Sequence, residues 1–149
     1  MSVAPIMPAR PRLRRRSALI CTPLLVLGMS ACGSTVSTSS FKGEEHAVAQ
    51  TLANLQSDAT AGEQKKVCAN DLAAGVVARL GGTAACEAAV KKQLAEIDSL
   101  EITVQSVKLA PNGKTATATA TSVYEGKKRQ TTVMLVKEAG GSWKIASLG

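Results

Sequence analysis

The chain has 149 residues, enough for one domain, a formal charge of +7 and only 2% aromatic residues. The charge alone suggests a nucleic-acid partner, but its distribution excludes one. Arg10, Arg12, Arg14, Arg15 and Arg16 all stand ahead of an apolar stretch, and residues 32–149 hold thirteen Lys and Arg against eleven Asp and Glu. A nucleic-acid binder keeps its basic patch in the folded part and stacks bases on aromatic rings; Phe41, Tyr124 and Trp143 are the whole aromatic set.

Residues 1–31 read as a secretory signal peptide. A basic segment ends at Arg16, an apolar run follows from Ala18 to about Gly28, and small residues stand at Ser30 and Ala31. An uncleaved membrane anchor is the alternative. The apolar run is shorter than the ~20 residues a spanning helix needs, and Pro23 interrupts it.

Met29-Ser30-Ala31-Cys32 resembles a bacterial lipobox, with Met29 where Leu is usual and a typical Gly33 after the cysteine. The resemblance implies that the Cys32 thiol takes a diacylglyceryl group through a thioether and that a dedicated peptidase cuts just before it. Ser30 and Ala31 fit that peptidase's narrow site. Ordinary secretion with cleavage after Ala31 would instead leave Cys32 as a free thiol. Each buried lipid CH2 contributes ~0.8 kcal/mol and one chain holds only marginally, so two chains make the attachment stable. Membrane lipid is then the expected partner, and the outer face of the cell membrane the expected location. Arg15-Arg16-Ser17-Ala18-Leu19 also loosely matches a twin-arginine signal. Ala18 replaces the usual bulky residue, which favours general secretion, and either export route stays open.

Residues 32–43 carry the lipidated cysteine and a tether. Ser34 to Ser40 is rich in Ser and Thr and has no apolar pattern, so it reads as flexible coil. About eight extended residues reach no more than roughly 28 Å from the membrane. Of the four cysteines, Cys21 leaves with the signal peptide and Cys32 is lipidated, which leaves Cys68 and Cys86. In an oxidising compartment an even pair is expected to form a disulfide. A metal site would need three or four ligands, and His46 is the one histidine, so no metal or other cofactor is expected.

Residues 44–149 read as a single domain, helical first and strand-rich second. Val48, Leu52, Leu55 and Ala59 share one face of a helix from Glu44 to Ala61, which Gly62 ends. Glu63 to Leu80 predicts two short helices with a break near Asn70-Asp71, where either residue can cap the second. Gly81-Gly82 stops it, and Thr83 can cap a third helix on which Cys86, Val90, Leu94 and Ile97 share a face. A Cys68–Cys86 bridge would pin the third helix to the second.

After Leu100 the apolar period becomes two. Leu100, Ile102 and Val104 alternate with polar residues, and a phase slip at Ser106-Val107 predicts a bulge. Turns at Pro111-Asn112-Gly113, Gly126 and Gly140-Gly141 separate strands over Thr115–Tyr124, Gln130–Val136 and Trp143–Leu148. The expectation is an α+β fold, with N-terminal helices packed on one face of a curved four-stranded antiparallel meander, a roll or cone.

Lys65-Lys66-Val67-Cys68, the helix from Cys86 to Leu94 and the closing Gly141-Ser142-Trp143-Lys144-Ile145 carry a resemblance. Over about Glu44 to Gly149 the chain resembles the nuclear transport factor 2-like family, a cystatin-like roll, and in particular small actinobacterial lipoproteins of that kind. The resemblance implies a cone of helices against a curved sheet. It also implies that any enzyme of this kind, such as a ketosteroid isomerase or polyketide cyclase, places a carboxylate base and a Tyr or Asp donor inside the cone.

The residues that could supply such chemistry are His46, Asp58, Asp71 and Tyr124. His46 and Asp58 lie off the apolar stripe and read as solvated, Asp71 reads as a helix cap, and Tyr124 reads as a tyrosine with a buried body and wet tip. Lys127-Lys128-Arg129 reads as a solvated hairpin or as a cluster attracted to anionic lipid headgroups. The row Ala116, Ala118 and Ala120 either lets the helices approach the sheet closely or, with Tyr124, lines a candidate ligand cavity. No paired acid and base stands on an inward stripe. The expected function is therefore a membrane-anchored, non-catalytic binding or interaction module. A carrier of a small apolar ligand is the alternative, and an isomerase- or cyclase-like enzyme a further one.

Overall fold

The computed structural model describes residues 37–96, 100–124 and 126–149. The export segment, Cys32, the start of the tether and Ile97 lie outside the described residues, as does the side chain of Tyr124.

The first helix, α1 (Gly43–Thr60), buries Val48, Ala49, Leu52 and Ala59, as its apolar spacing requires. Glu44 and Glu45 in its first turn complement the positive end of the helix dipole. Its end is closed by hydrogen bonds from Ala61 N to Ser57 O (2.9 Å) and from Gly62 N to Ala59 O (3.0 Å). Gly62 takes a φ of 69°, which a side-chain-bearing residue adopts only at a cost.

A single turn, α2 (Gln64–Lys66), runs without interruption into a π-helical turn over Val67–Asp71, closed by Leu72 N donating to Val67 O (3.1 Å). The expected break falls one residue later than the sequence suggested, at Leu72 and Ala73, which are both extended. Neither Asn70 nor Asp71 caps α3 (Ala74–Arg79). The cap position belongs to Ala73, and the orphan Ala74 N–H donates to Glu138 Oε1 (2.9 Å) across the fold. α4 (Thr83–Ala95) likewise begins at Thr83, with Gly82 at φ 95° in the cap position, so Thr83 is its first residue and not its cap.

Cys86 is the one buried residue of α4; Val90 and Leu94, expected to face the core, are half-buried. The reason is placement: the main neighbours of α4 are α2, the π-turn and α3. With so little apolar burial, it is held by the disulfide from Cys86 to Cys68 in the π-turn, with Cα atoms 6.1 Å apart. A cross-link closing a loop of this size stabilises by about 3 kcal/mol if its effect is entropic.

The sheet is an antiparallel meander in the order β1 (Glu101–Leu109), β2 (Thr115–Tyr124), β3 (Lys127–Lys137), β4 (Trp143–Leu148). The register of β1 against β2 shifts between Val104 and Ser106, one residue before the expected slip. On β2 the alternation is strict: Ala116, Ala118 and Ala120 are buried, whereas Thr115, Thr117, Thr119 and Thr121 are half-buried on the other face. β4 would be a free edge, but Leu72 forms a parallel bridge with Ile145, and Ala73 N donates to Ile145 O (2.9 Å). The chain between the π-turn and α3 thus covers part of that edge.

The core lies between α1 and the inner face of the sheet. Val48, Ala49 and Leu52 form one cluster with Val104, Val107, Ala116, Ala118, Val133, Leu135, Trp143 and Ile145. The architecture is α+β, with the helices on one side of a four-stranded antiparallel sheet. The alanine row takes part in close packing: Ala118 is 0% exposed within this cluster, and Ala120 is buried beside it. Small side chains there leave room for α1 beside β2.

Candidate functional site

A cleft of about 400 Å³ opens where the polar flank of α1, the end of the π-turn and the turn between β3 and β4 meet. His46, Gln50 and Asn54 line it from α1, all exposed, at positions that place them on the side of the helix away from its apolar stripe. Asn70 and Asp71 line it from the π-turn, and Ser142 and Trp143 from the start of β4.

Two contacts hold the walls in place. Glu44, in the first turn of α1, accepts hydrogen bonds from Lys137 Nζ (2.7 Å) and Trp143 Nε1 (2.8 Å), and the Lys137 ammonium stands 5.8 Å from the centre of the Trp143 ring. The Lys137 contact, followed by that of Trp143, holds the Glu44 carboxyl below its ordinary range. Further along α1, the Thr51 hydroxyl donates to Ala47 O (3.1 Å) and lies 3.4 Å from Trp143 O.

The unusual group is Asp71. Its side chain is 1% exposed, and its Oδ2 is buried with no hydrogen-bond partner. Burial pushes its carboxyl up to about 7, and the negative charge of Asp58 adds to the effect, as does a hydrogen bond with Asp58 that favours the protonated form; Lys144 opposes these three. The Lys144 ammonium is itself engaged with backbone, donating to Ala69 O (3.2 Å) and to Asn70 O. The π-turn accounts for the geometry. Its wider backbone turns Asp71 inward at a position where the sequence suggested an outward-facing cap.

The four residues considered for chemistry are thus divided. His46 and Asp71 line the same cleft, and Asp58, half-buried on α1, acts on Asp71. Tyr124 stands at the far end of β2, its backbone paired with Lys127. Lys127, Lys128 and Arg129 are exposed on β3. Among the described residues there is no cluster of three metal-ligating side chains. A second cleft of about 350 Å³ lies beside the disulfide, lined by Cys68, Leu72, Val77, Thr83 and Glu138 among others. Neither cleft is lined by Ala116, Ala118 or Ala120. The residues missed in the sequence were Gln50, Asn54 and Asn70. Nothing distinguishes them there from the solvated face of any amphipathic helix or turn.

No family model and no curated protein matches the sequence. Two solved structures resemble it in fold. One is a candidate dehydratase of the nuclear transport factor 2-like family from Streptomyces avermitilis, 14% identical, covering 68% of this chain and 90% of its own, with a TM-score of 0.46. The other is a candidate ketosteroid isomerase from Shewanella frigidimarina NCIMB 400, 19% identical, covering 68% of this chain and 92% of its own, with a TM-score of 0.40. The likeness is one of fold and says nothing of activity.

Proposed function

We propose that the protein is an extracytoplasmic lipoprotein, held at the outer face of the cell membrane by a diacylglyceryl group on Cys32, and that its domain is a non-catalytic binding module. The anchoring rests on the order of basic, apolar and small residues that ends at Ser30-Ala31-Cys32. The binding-module reading rests on the apolar cluster between α1 and the sheet. There Val48, Ala49 and Leu52 share one buried cluster with Ala116, Ala118, Val133 and Leu135. Aliphatic side chains stabilise a core but transfer no proton, so recognition falls to the outer surface and its clefts. Membrane fractionation tests the anchor: wild type is expected in the membrane fraction and Cys32→Ser in the medium, and equal release of both would contradict it.

One observation favours a second reading. A carboxyl near neutrality in a cleft is the group that general acid–base catalysis uses, and Asp71 is such a group. In that reading the enzyme site is this outer cleft and not the cone interior.

A further inference from the structure

We propose that the turn between β1 and β2 is a membrane-docking tip that enters the anionic lipid surface holding the anchor. Leu109 and Pro111 are its apolar part, and Lys108 and Lys114 bind the headgroup phosphates. The proposal rests on the anchor, which keeps the domain beside that surface.

Three features support the assignment. The first is where the tether joins the fold. Phe41 packs against the core, and Lys42 holds the cap position of α1. Two residues on, Glu44 accepts from Lys137 Nζ (2.7 Å), and the Lys137 N–H donates to Lys114 O (2.8 Å). These contacts gather the start of α1, the end of β3 and the β1–β2 turn at one end of the domain, the end where the tether joins it. Lys127-Lys128-Arg129, the cluster that the sequence offered for headgroups, begins β3 at the opposite end. β3 has 11 residues, which at ~3.3 Å each set that cluster ~33 Å from Lys137.

The second feature is the composition of the tip, Lys108-Leu109-Ala110-Pro111-Asn112-Gly113-Lys114. Leu109 is 38% exposed, and Lys108, Pro111 and Lys114 are exposed as well. No acidic residue occurs from Ile102 to Tyr124. Elsewhere at this end, Glu44 is paired with Lys137, Glu138 Oε1 accepts from Ala74 N, and Glu45 offsets the charge of Lys42. An apolar tip flanked by lysines joins the two attractions of interfacial binding, apolar area at the acyl boundary and cations at anionic headgroups. The third feature is the backbone. Ala110 N donates to Thr115 O and Gly113 N to Ala110 O, both at 2.9 Å, and Asn112 Oδ1 accepts from Lys114 N (2.9 Å). These groups are satisfied within the turn, so they lose no partner when the tip leaves water.

Gly33–Gly149 forms a compact unit that contains the whole core and the disulfide, so it folds without the export segment and carries no lipid. Its sedimentation with vesicles, at millimolar lipid and low salt, tests the docking apart from the anchor. Binding is expected to vesicles of phosphatidylglycerol mixed with phosphatidylcholine, severalfold stronger than to phosphatidylcholine alone, and should weaken as salt is added. Each lysine removed from the tip should cost about fivefold in partitioning, so Lys108→Gln combined with Lys114→Gln should lose on the order of 25-fold. Lys127→Gln combined with Lys128→Gln changes the net charge equally and should lose less than about twofold, because those lysines lie beyond the screening length. Leu109→Ser should lose severalfold at unchanged charge. Failure to sediment with the anionic vesicles would overturn the proposal, as would equal binding to both kinds of vesicle or equal losses in the two double variants. None of these outcomes touches the anchor, which fractionation of Cys32→Ser reads separately.

Discussion

At the scale of single residues, Asp71 sets a pH dependence whose sign follows from its burial. An unfolded aspartate loses its proton near ~3.9, whereas in the fold Asp71 holds its proton up to about 7. Between those values the folded state binds more protons than the unfolded state, so stability falls as pH rises, by at most ~1.4 kcal/mol per pH unit, and levels off above the folded value. Glu44 shifts the opposite way, held down by Lys137 and Trp143, so its contribution to the pH dependence has the opposite sign. Asp71→Asn removes the titration. Its urea midpoint is expected to vary less between pH 5 and pH 8 than that of wild type, and to exceed the wild-type midpoint at pH 8. Equal pH dependence in the two proteins would contradict the assignment. The sequence could not reveal this group. Asp71 precedes a short helix, as capping aspartates do, and only the π-helical turn, which has no local sequence signature, turns it inward.

Among the elements, α1 and β2 both contribute to the core, and their contributions were legible because both periods are clean. Val48 and Leu52 recur at helical spacing, and alanine and threonine alternate from Thr115 to Thr121. What the pattern left open was whether the alanines sit under a hollow or under a helix. The structure shows Ala116 and Ala118 in the cluster with Val48, Ala49 and Leu52. Ala118→Leu tests that packing. In a filled interior the added methylenes force neighbouring side chains off their rotamers and should cost ~1–3 kcal/mol, read as a lower urea midpoint. An unchanged or raised midpoint would mean that the side chain had found empty space. The third helix was legible in extent but not in role. Val90 and Leu94 share a face with Cys86, yet helical spacing does not say whether a sheet lies against that face. For α4 the main neighbours are α2, α3 and the π-turn, and the link to Cys68 ties it to that turn.

At the scale of the molecule, two statements of different origin meet. The domain's architecture follows from apolar periodicity and turn residues. The proposed anchor rests on a sequence segment that reads as an export signal, whose physics is that of export and lipid insertion. Both bear on the cysteines: Cys32 is the anchor point of the proposal, and Cys68 and Cys86 form a bridge, as the proposed export to an oxidising compartment would require. The intact mass of the non-reduced protein isolated from the membrane reads both at once. The account predicts a chain beginning at Cys32, heavier than residues 32–149 by a thioether-linked diacylglyceryl group, and lighter than its reduced form by the two hydrogens of one disulfide. A chain whose Cys32 carries no lipid, or one in which Cys68 and Cys86 both alkylate without reduction, would contradict it.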